Sequence, residues 1–487
     1  MIVEILGAKM LAPYVGTSHF VWTAQIGVTL VALACGYYLG GRIVDRSPDL
    51  TRLYWAILWA AVYLCFAVLV IEPVAYWCLQ FRLARGSLLA SAFLFLVPLA
   101  LLAMAGPFIV RVLSASVAGV GGNMGRLTAI STLGSVVGTA LIGYVLIPLA
   151  PNSITMYGTA AALILVALGY FGLHRRTVSA PVTVAVVAIL LAAFGISRES
   201  GSRFSRVDEL ARRNSEFGLL QVIQDKTSSR RYYLNDYLTQ NTYDTREKKS
   251  TSMFTYMLYG LANAYTPGIT NVLCIGLGVG IVPMEYVRDG AKVDVVEINP
   301  AVVPLATKYF DLEPAKLNIT YGDGRHFLNE CNRKYDTISL DAFLGDSSPS
   351  HLMSREAFAS MKRVLHPHGT LVINTFADLN RGHDFFAASL SKTLGSVFRS
   401  VRIHAGRGGN TMFVASDRAD LAPVREFDFS RVHASTAWSV QEAFAGLRET
   451  DPAHGIVLTD DFNPVEFYDA KNREELRKNL VVQVRDL

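Results

Sequence analysis

Five stretches of this chain contain no Asp, Glu, Lys or Arg: Ser18–Gly41, Leu53–Ile71, Gly86–Val110, Leu127–Leu173 and Thr177–Ser197. In hydrocarbon every backbone N–H and C=O must be satisfied within the protein, and about 20 apolar residues make one helical crossing. The fourth stretch is about twice that length and carries Pro148, Pro151 and Asn152 near its middle, so it reads as two helices joined by a turn. The sequence therefore predicts a multi-helix transmembrane domain over residues 1–197, with six spans, a partial span at the start and a lipid bilayer around them. Helices buried in a soluble core would not be this long this often. Residues 1–17 are too short before Lys9 to cross, and they lack the basic region and clean apolar core of a signal peptide.

Small residues (Gly40, Gly41, Gly134, Gly138, Gly143, Gly158 and Gly169) are expected to let these helices approach closely. Gly106-Pro107 should kink or break the third span, and Glu72 marks the water interface at the end of the second.

Charges become frequent after Arg198, which places the main boundary there. The net charge of +5 is small for 487 residues and gives no argument for a nucleic-acid partner. Cysteines at 35, 65, 78, 274 and 331 have no close pair and no metal-type spacing, so neither disulfides nor a bound metal is expected.

The soluble part is organised around Val272–Asn299, VLCIGLGVGIVPMEYVRDGAKVDVVEIN. An apolar run, glycines at 276, 278 and 280, a helical segment and a second apolar run closed by Glu297 form the first βαβ unit of a nucleotide-binding sheet. Glycines let the backbone pass close under a ligand, and the acid can take both hydroxyls of a ribose. Strands are predicted at 272–275, 293–298, 317–320, 336–341 and 370–374, with helices near 281–288, 300–309 and 354–364. That alternation predicts an α/β doubly wound, mostly parallel sheet over 271–487. Residues 198–270 read as a small β-hairpin region, Gly218–Ile223 and Arg231–Leu234 around a turn at Asp225–Ser229, then a polar loop running into an amphipathic helix. Ligands bind beyond the carboxyl ends of parallel strands. Gly276, Glu297, Asp323 and Asp341 all fall at such ends.

These segments together resemble the class I S-adenosylmethionine-type, methyltransferase-like fold, and more narrowly the spermidine synthase (polyamine aminopropyltransferase) family. The resemblance covers roughly residues 215–420 and rests on NDYLTQ, VLCIGLGVG, VVEINPAVV, YGDGRHFL, YDTISLDAF and HPHGTLVINT. In NDYLTQ, Asp236 and Gln240 match the family's Leu-Asp-Gly-x-x-Gln, while Tyr237 stands in the glycine place. MLAPYVGTSHFVWTAQIGVTLVALACGYYLGGRIVDR and LTDDFNPVE resemble the membrane-fused bacterial members. In those members a full spanning helix usually precedes the segment that reads MLAPYVGTS here.

The resemblance implies a sulfonium nucleotide substrate, S-adenosylmethionine or its decarboxylated form, contacted by Gln240 and held at its ribose by Glu297. Asp323 with Gly324 would address the adenine edge, and Gly276, Gly278 and Gly280 would line the nucleotide turn. Asp341 would accept a proton from an attacking amine, with Asp346 the next candidate for that role. Three places depart from the family pattern: Val279 replaces the Asp of the glycine turn, Tyr256 stands in the Tyr-His-Glu-Met segment, and Leu344 replaces a second Asp after the fourth strand. Like charges at ~4 Å cost from ~1 kcal/mol in water to several in a cleft. Valine at 279 would therefore relax the preference for the decarboxylated donor.

Three functions compete at this stage. An aminopropyltransferase fits the resemblance, and a methyltransferase or lyase using S-adenosylmethionine itself fits the departures. A nucleotide sensor or transporter regulator would leave Asp341 without a use. Orientation divides the signals further. Seven Arg at 42, 46, 52, 111, 126, 175 and 176 mark the cytoplasmic loops, and six crossings then put residue 198 outside. A domain consuming a cytoplasmic nucleotide belongs inside. The expected location is a bacterial inner membrane with a cytoplasmic catalytic domain, and a re-entrant Gly86–Val110 would reconcile the two. Oligomeric state is not readable from the sequence.

Overall fold

The computed structural model describes residues 1–16, 18–114, 119–175, 179–200, 206–343, 349–406, 410–468 and 474 of the 487. The chain divides into two compact units, Met1–Arg203 and Phe204–Leu487.

The first unit is helical. Among the described residues, six of its helices are long and apolar enough to cross a membrane: His19–Arg46, Leu50–Cys78, Leu83–Leu113, Val120–Leu146, Asn152–His174 and Ser179–Arg198. A shorter helix, Ile2–Val15, precedes them. The third is interrupted at Met104, between Val97–Ala103 and Ala105–Leu113. Pro107 supplies the cause: its ring would meet the carbonyl of Ala103, four residues back. Close approach in this unit rests largely on glycines other than those expected, Gly7, Gly36, Gly86 and Gly195 beside Gly40. A Cβ at Gly36 would lie 2.2 Å from the Ala100 carbonyl oxygen, and one at Gly40 would lie 2.9 Å from the Met104 Cα. Gly41, Gly134, Gly143, Gly158 and Gly169 face open space, and Gly138 meets only Ile2 at 3.4 Å. Residue type predicted small contacts; it could not say which helix face they occupied.

In the second unit a five-stranded antiparallel sheet comes first, in the order β1 (Val207–Ser215), β2 (Gly218–Asp225), β3 (Arg230–Asn235), β4 (Leu238–Asp244) and β5 (Lys249–Ser250). The expected hairpin is its β2–β3 pair. The polar segment read as a loop is β4, whose Thr239 and Thr242 suit a pleated surface even though its charge pattern resembles a loop. The β3–β4 turn places Asp236 and Tyr237 at φ of 48° and 61°. Tyr237, in the family's glycine place, thus adopts the left-handed conformation that glycine takes more easily. Asp236 helps hold the turn by accepting from the Leu219 amide at 2.9 Å.

The second sheet has eight strands: β6 (Asn271–Ile275), β7 (Lys292–Glu297), β8 (Asn318–Tyr321), β9 (Tyr335–Leu340), β10 (Leu365–Thr375), β11 (Ser400–Ala405), β12 (Thr411–Ser416) and β13 (Leu447–Arg448). Their order across the sheet is β13-β11-β12-β10-β9-β6-β7-β8. Neighbours from β8 to β10 are parallel, and β12 runs antiparallel to both β10 and β11. Side chains of β6 alternate between two cores. Val272 and Cys274 pack in one, and Leu273 and Ile275 pack in the other. Burial on both faces explains the unbroken apolar run. The strand order reverses between the parallel neighbours β6 and β9, with β7 and β8 laid down on one side and β9 on the other, which opens a crevice at their carboxyl ends.

Candidate active site

The crevice is a cavity of about 340 Å³, enough for a nucleoside-sized ligand. Its lining includes Gln240, Gly276, Gly278, Glu297, Asp323, Gly324 and Asp341. Of the remaining sequence candidates, Gly280 lies outside the lining, with Leu312 only 2.4 Å from where its Cβ would be. Asp346, like Leu344, falls outside the described residues.

The glycine turn follows from contacts no side chain could tolerate. Gly276 has φ 96°, and a Cβ there would lie 2.1 Å from the Asp341 carbonyl oxygen. The Glu297 carboxylate stitches this turn to the end of β7. Its Oε2 accepts from the Leu277 amide at 2.9 Å and its Oε1 from the Asn299 amide at 2.7 Å. Burial raises the Glu297 carboxyl above its ordinary value, against the opposing pull of the Leu277, Asn299 and Ile298 amides. Glu297 therefore shapes the turn and lines the cavity.

Asp341 follows β9, and its Oδ1 accepts from Asn374 Nδ2 at 2.9 Å. Burial pushes its carboxyl up to about 6; the Asn374 amide opposes that rise and the nearby Glu297 charge adds to it. A carboxyl poised there can exchange a proton near neutral pH.

Asp323 precedes the helix Gly324–Glu330 and caps it, its Oδ1 accepting from the amides of Arg325 and His326 at 2.9 and 3.0 Å. Its Oδ2 lies 2.8 Å from His351 Nε2. Burial works to raise this carboxyl, but the His326 amide, the His351 ring and the Arg325 amide outweigh it and hold it below its ordinary value. Its capping geometry matches a structural Gly-Asp-Gly turn, and its place in the lining adds a second use.

Gln240 reaches the cavity through a β-bulge. Tyr233 pairs with Asn241 and Leu234 with Thr239, so Gln240 is the extra residue of β4. Bulges re-aim side chains, and neither alternation nor propensity forecasts them. The same wall contributes Asn241, which is 5% exposed and whose Oδ1 has no hydrogen-bond partner among the described residues.

Sequence reading missed Asn374, Asn410, Asn241 and His351, all of which line the cavity. Asn374 had a signal, since it lies in the strand beside the one that Asp341 closes. Val279 goes the other way. It is 1% exposed, belongs to the apolar core and does not line the cavity. The three carboxylates in the lining are Glu297, Asp323 and Asp341, and among the described residues no Lys or Arg joins them.

The strand order and the glycine turn at its switch point define a class I S-adenosylmethionine-type α/β domain. Residues 252–405 match the family model described as spermine/spermidine synthase domain. Over 152 residues the chain is 34% identical to the polyamine aminopropyltransferase of Vibrio vulnificus (strain CMCP6), covering 30% of this chain and 50% of that protein. It is 29% identical over 245 residues to the probable polyamine aminopropyl transferase of Bifidobacterium longum (strain NCC 2705), covering 45% and 53%. The crystal structure of spermidine synthase from Thermotoga maritima aligns with a TM-score of 0.41 at 17% identity, covering 54% of this chain and 88% of that one. The chain spans about half the length of these two curated relatives. The match to that family model lies within the second unit.

Proposed function

We propose that this protein is a membrane-anchored transferase of the aminopropyltransferase type, acting on a sulfonium nucleotide. The observation that carries this reading is the pair of acids, Glu297 and Asp341, at the ends of two parallel strands flanking the glycine turn. They share a cavity whose described lining holds carboxylates and no Lys or Arg, an environment that favours a cationic ligand. In this reading Glu297 accepts from the ribose hydroxyls, Gln240 contacts the nucleoside, and Asp323 with Gly324 meets the adenine edge. An amine nitrogen attacks the carbon bonded to the sulfonium sulfur as the C–S bond breaks. Its electron pair stays on sulfur to give neutral methylthioadenosine, and the proton leaving nitrogen passes to Asp341. The six apolar helices supply the membrane anchor, with the second unit on the cytoplasmic side of a bacterial inner membrane.

A second reading rests on the glycine turn, whose residues in the described lining, Gly276 and Gly278, carry no acid. The turn offers no anchor for the ammonium of a decarboxylated donor, and in this reading S-adenosylmethionine itself is the substrate, for methyl transfer or cleavage. Incubating the purified full chain with each nucleotide alone, and then with putrescine, separates the two. Methylthioadenosine and an aminopropylated amine formed from the decarboxylated donor support the first reading. S-adenosylhomocysteine, or amine-independent release of methylthioadenosine from S-adenosylmethionine, replaces it with the second.

A further inference from the structure

We propose that Asn410 and Asn374 are positioning residues that orient Asp341 with Oδ1 tied and Oδ2 left to receive the substrate's proton. The inference rests on the catalytic reading of Asp341 given above, and extends it to which oxygen acts and what fixes it.

Three side chains at the ends of three neighbouring strands form the chain of contacts. Asn410, just before β12, donates from Nδ2 to Asn374 Oδ1 at 2.9 Å. Asn374, near the end of β10, donates from its own Nδ2 to Asp341 Oδ1 at 2.9 Å. Strand register brings them together, because Ile373 pairs with Leu340, each one residue before a member of the inner pair. Asn374 is 2% exposed, so its amide must find its partners within the protein.

An isolated asparagine could turn either its oxygen or its nitrogen toward a carboxyl group. Only the nitrogen supports the carboxylate; the oxygen would favour the protonated acid. In the structure Asn410 donates to the Asn374 oxygen, and the Asn374 nitrogen faces Asp341. Asp341 Oδ2 accepts no hydrogen bond among the described residues, while Asp341 itself lines the cavity. Among the described residues, the other titratable groups around it are Glu297 from β7, Cys274 from β6, Tyr233 from β3, and Asp323 and His351 across the cavity. None of these donates to Asp341, so the amide relay is its one described side-chain tether.

Asn410→Leu keeps the approximate shape and removes the donor, whereas Asn410→Ser restores a donor in a smaller side chain. In the full-length protein in detergent, without substrate, the infrared carbonyl band of protonated Asp341 can be assigned with Asp341→Asn and titrated. Asn410→Leu is expected to raise its midpoint by about half to one pH unit, with Asn410→Ser close to wild type. In turnover assays Asn410→Leu should lower kcat about tenfold while leaving KM for the nucleotide within about twofold. A packing role predicts the reverse ranking, with Leu mild and Ser damaging, and that ranking overturns the proposal. So does an unchanged Asp341 midpoint in folded Asn410→Leu. Calorimetry with methylthioadenosine on the wild type tests the enzymatic reading separately: a shifted midpoint in a protein that binds no nucleoside would uphold the relay and remove the enzyme.

Discussion

At the scale of single residues, Glu297 carries two duties that one substitution cannot separate. Both oxygens accept backbone amides, from Leu277 and Asn299, and the carboxylate lines the cavity. Glu297→Ala should loosen the glycine turn and remove a charge-assisted acceptor worth ~1.5–3 kcal/mol, a loss of roughly ten- to a hundredfold in affinity. Calorimetry with methylthioadenosine checks it, and unchanged affinity in a folded variant refutes the ribose role. Asp341 offers a test in which activity and stability move in opposite directions. With its carboxyl raised to about 6, the folded state binds more protons than the unfolded chain between the ordinary carboxylate range and that value. Stability therefore falls as pH rises through that window, and the loss is complete above it. Asp341→Asn should raise Tm at a pH of about 8 and leave it unchanged near pH 4, while lowering turnover by roughly 10²–10⁴-fold. A variant with near-normal turnover places the base elsewhere; one with no pH-dependent gain in Tm shows that the charge costs nothing when buried.

At the scale of elements, the parallel strands were legible because their burial on both faces leaves a sequence trace. The apolar runs at 272–275 and 293–298 correspond to β6 and β7, and the acids closing or following strands mark the crevice. β4 and its bulge left no such trace: polar residues line a cavity for chemical reasons, and in sequence they look like a loop. Gln240 was reachable through family resemblance alone. The glycine turn shows the complementary failure. Val279 is one residue from Gly278, which lines the cavity, yet its side chain packs in the apolar core with Leu277 and Val282. Spacing along the chain does not specify direction in a turn whose residues have positive φ. Val279→Asp should accordingly bury an unpaired carboxylate at a cost of about 3–5 kcal/mol, rather than exchange one donor nucleotide for another. A melting curve should show a large drop in Tm. If Tm holds and competition binding reverses the preference between S-adenosylmethionine and its decarboxylated form, residue 279 faces the ligand after all.

At the scale of the whole molecule, each unit has an apolar core of its own. The helical unit buries Leu6, Leu58, Leu64 and Phe95 together, while the α/β unit closes two cores on opposite faces of its larger sheet. Among the described residues, the cavity lining comes from residues between Phe217 and Asn410, all in the second unit. Exposed apolar side chains run along the helices of the first unit, among them Trp22, Leu30, Ile130, Val137, Leu165 and Leu190. Apolar surface of this extent marks a contact with lipid or with another protein, and the length of the helices favours lipid. Residues 204–487 expressed alone should therefore fold without detergent and bind methylthioadenosine within about threefold of the full chain, since no cavity residue is lost. Residues 1–203 alone should partition into the membrane fraction and stay there through a high-salt wash, because hydrophobic burial is not screened as charge contacts are. Calorimetry on the soluble fragment and fractionation of the helical one make the two measurements. A soluble fragment that folds, by its circular dichroism and melting curve, but has lost nucleoside binding would show that the helical unit completes the site. A helical fragment released by salt would show that its apolar surface meets protein rather than lipid.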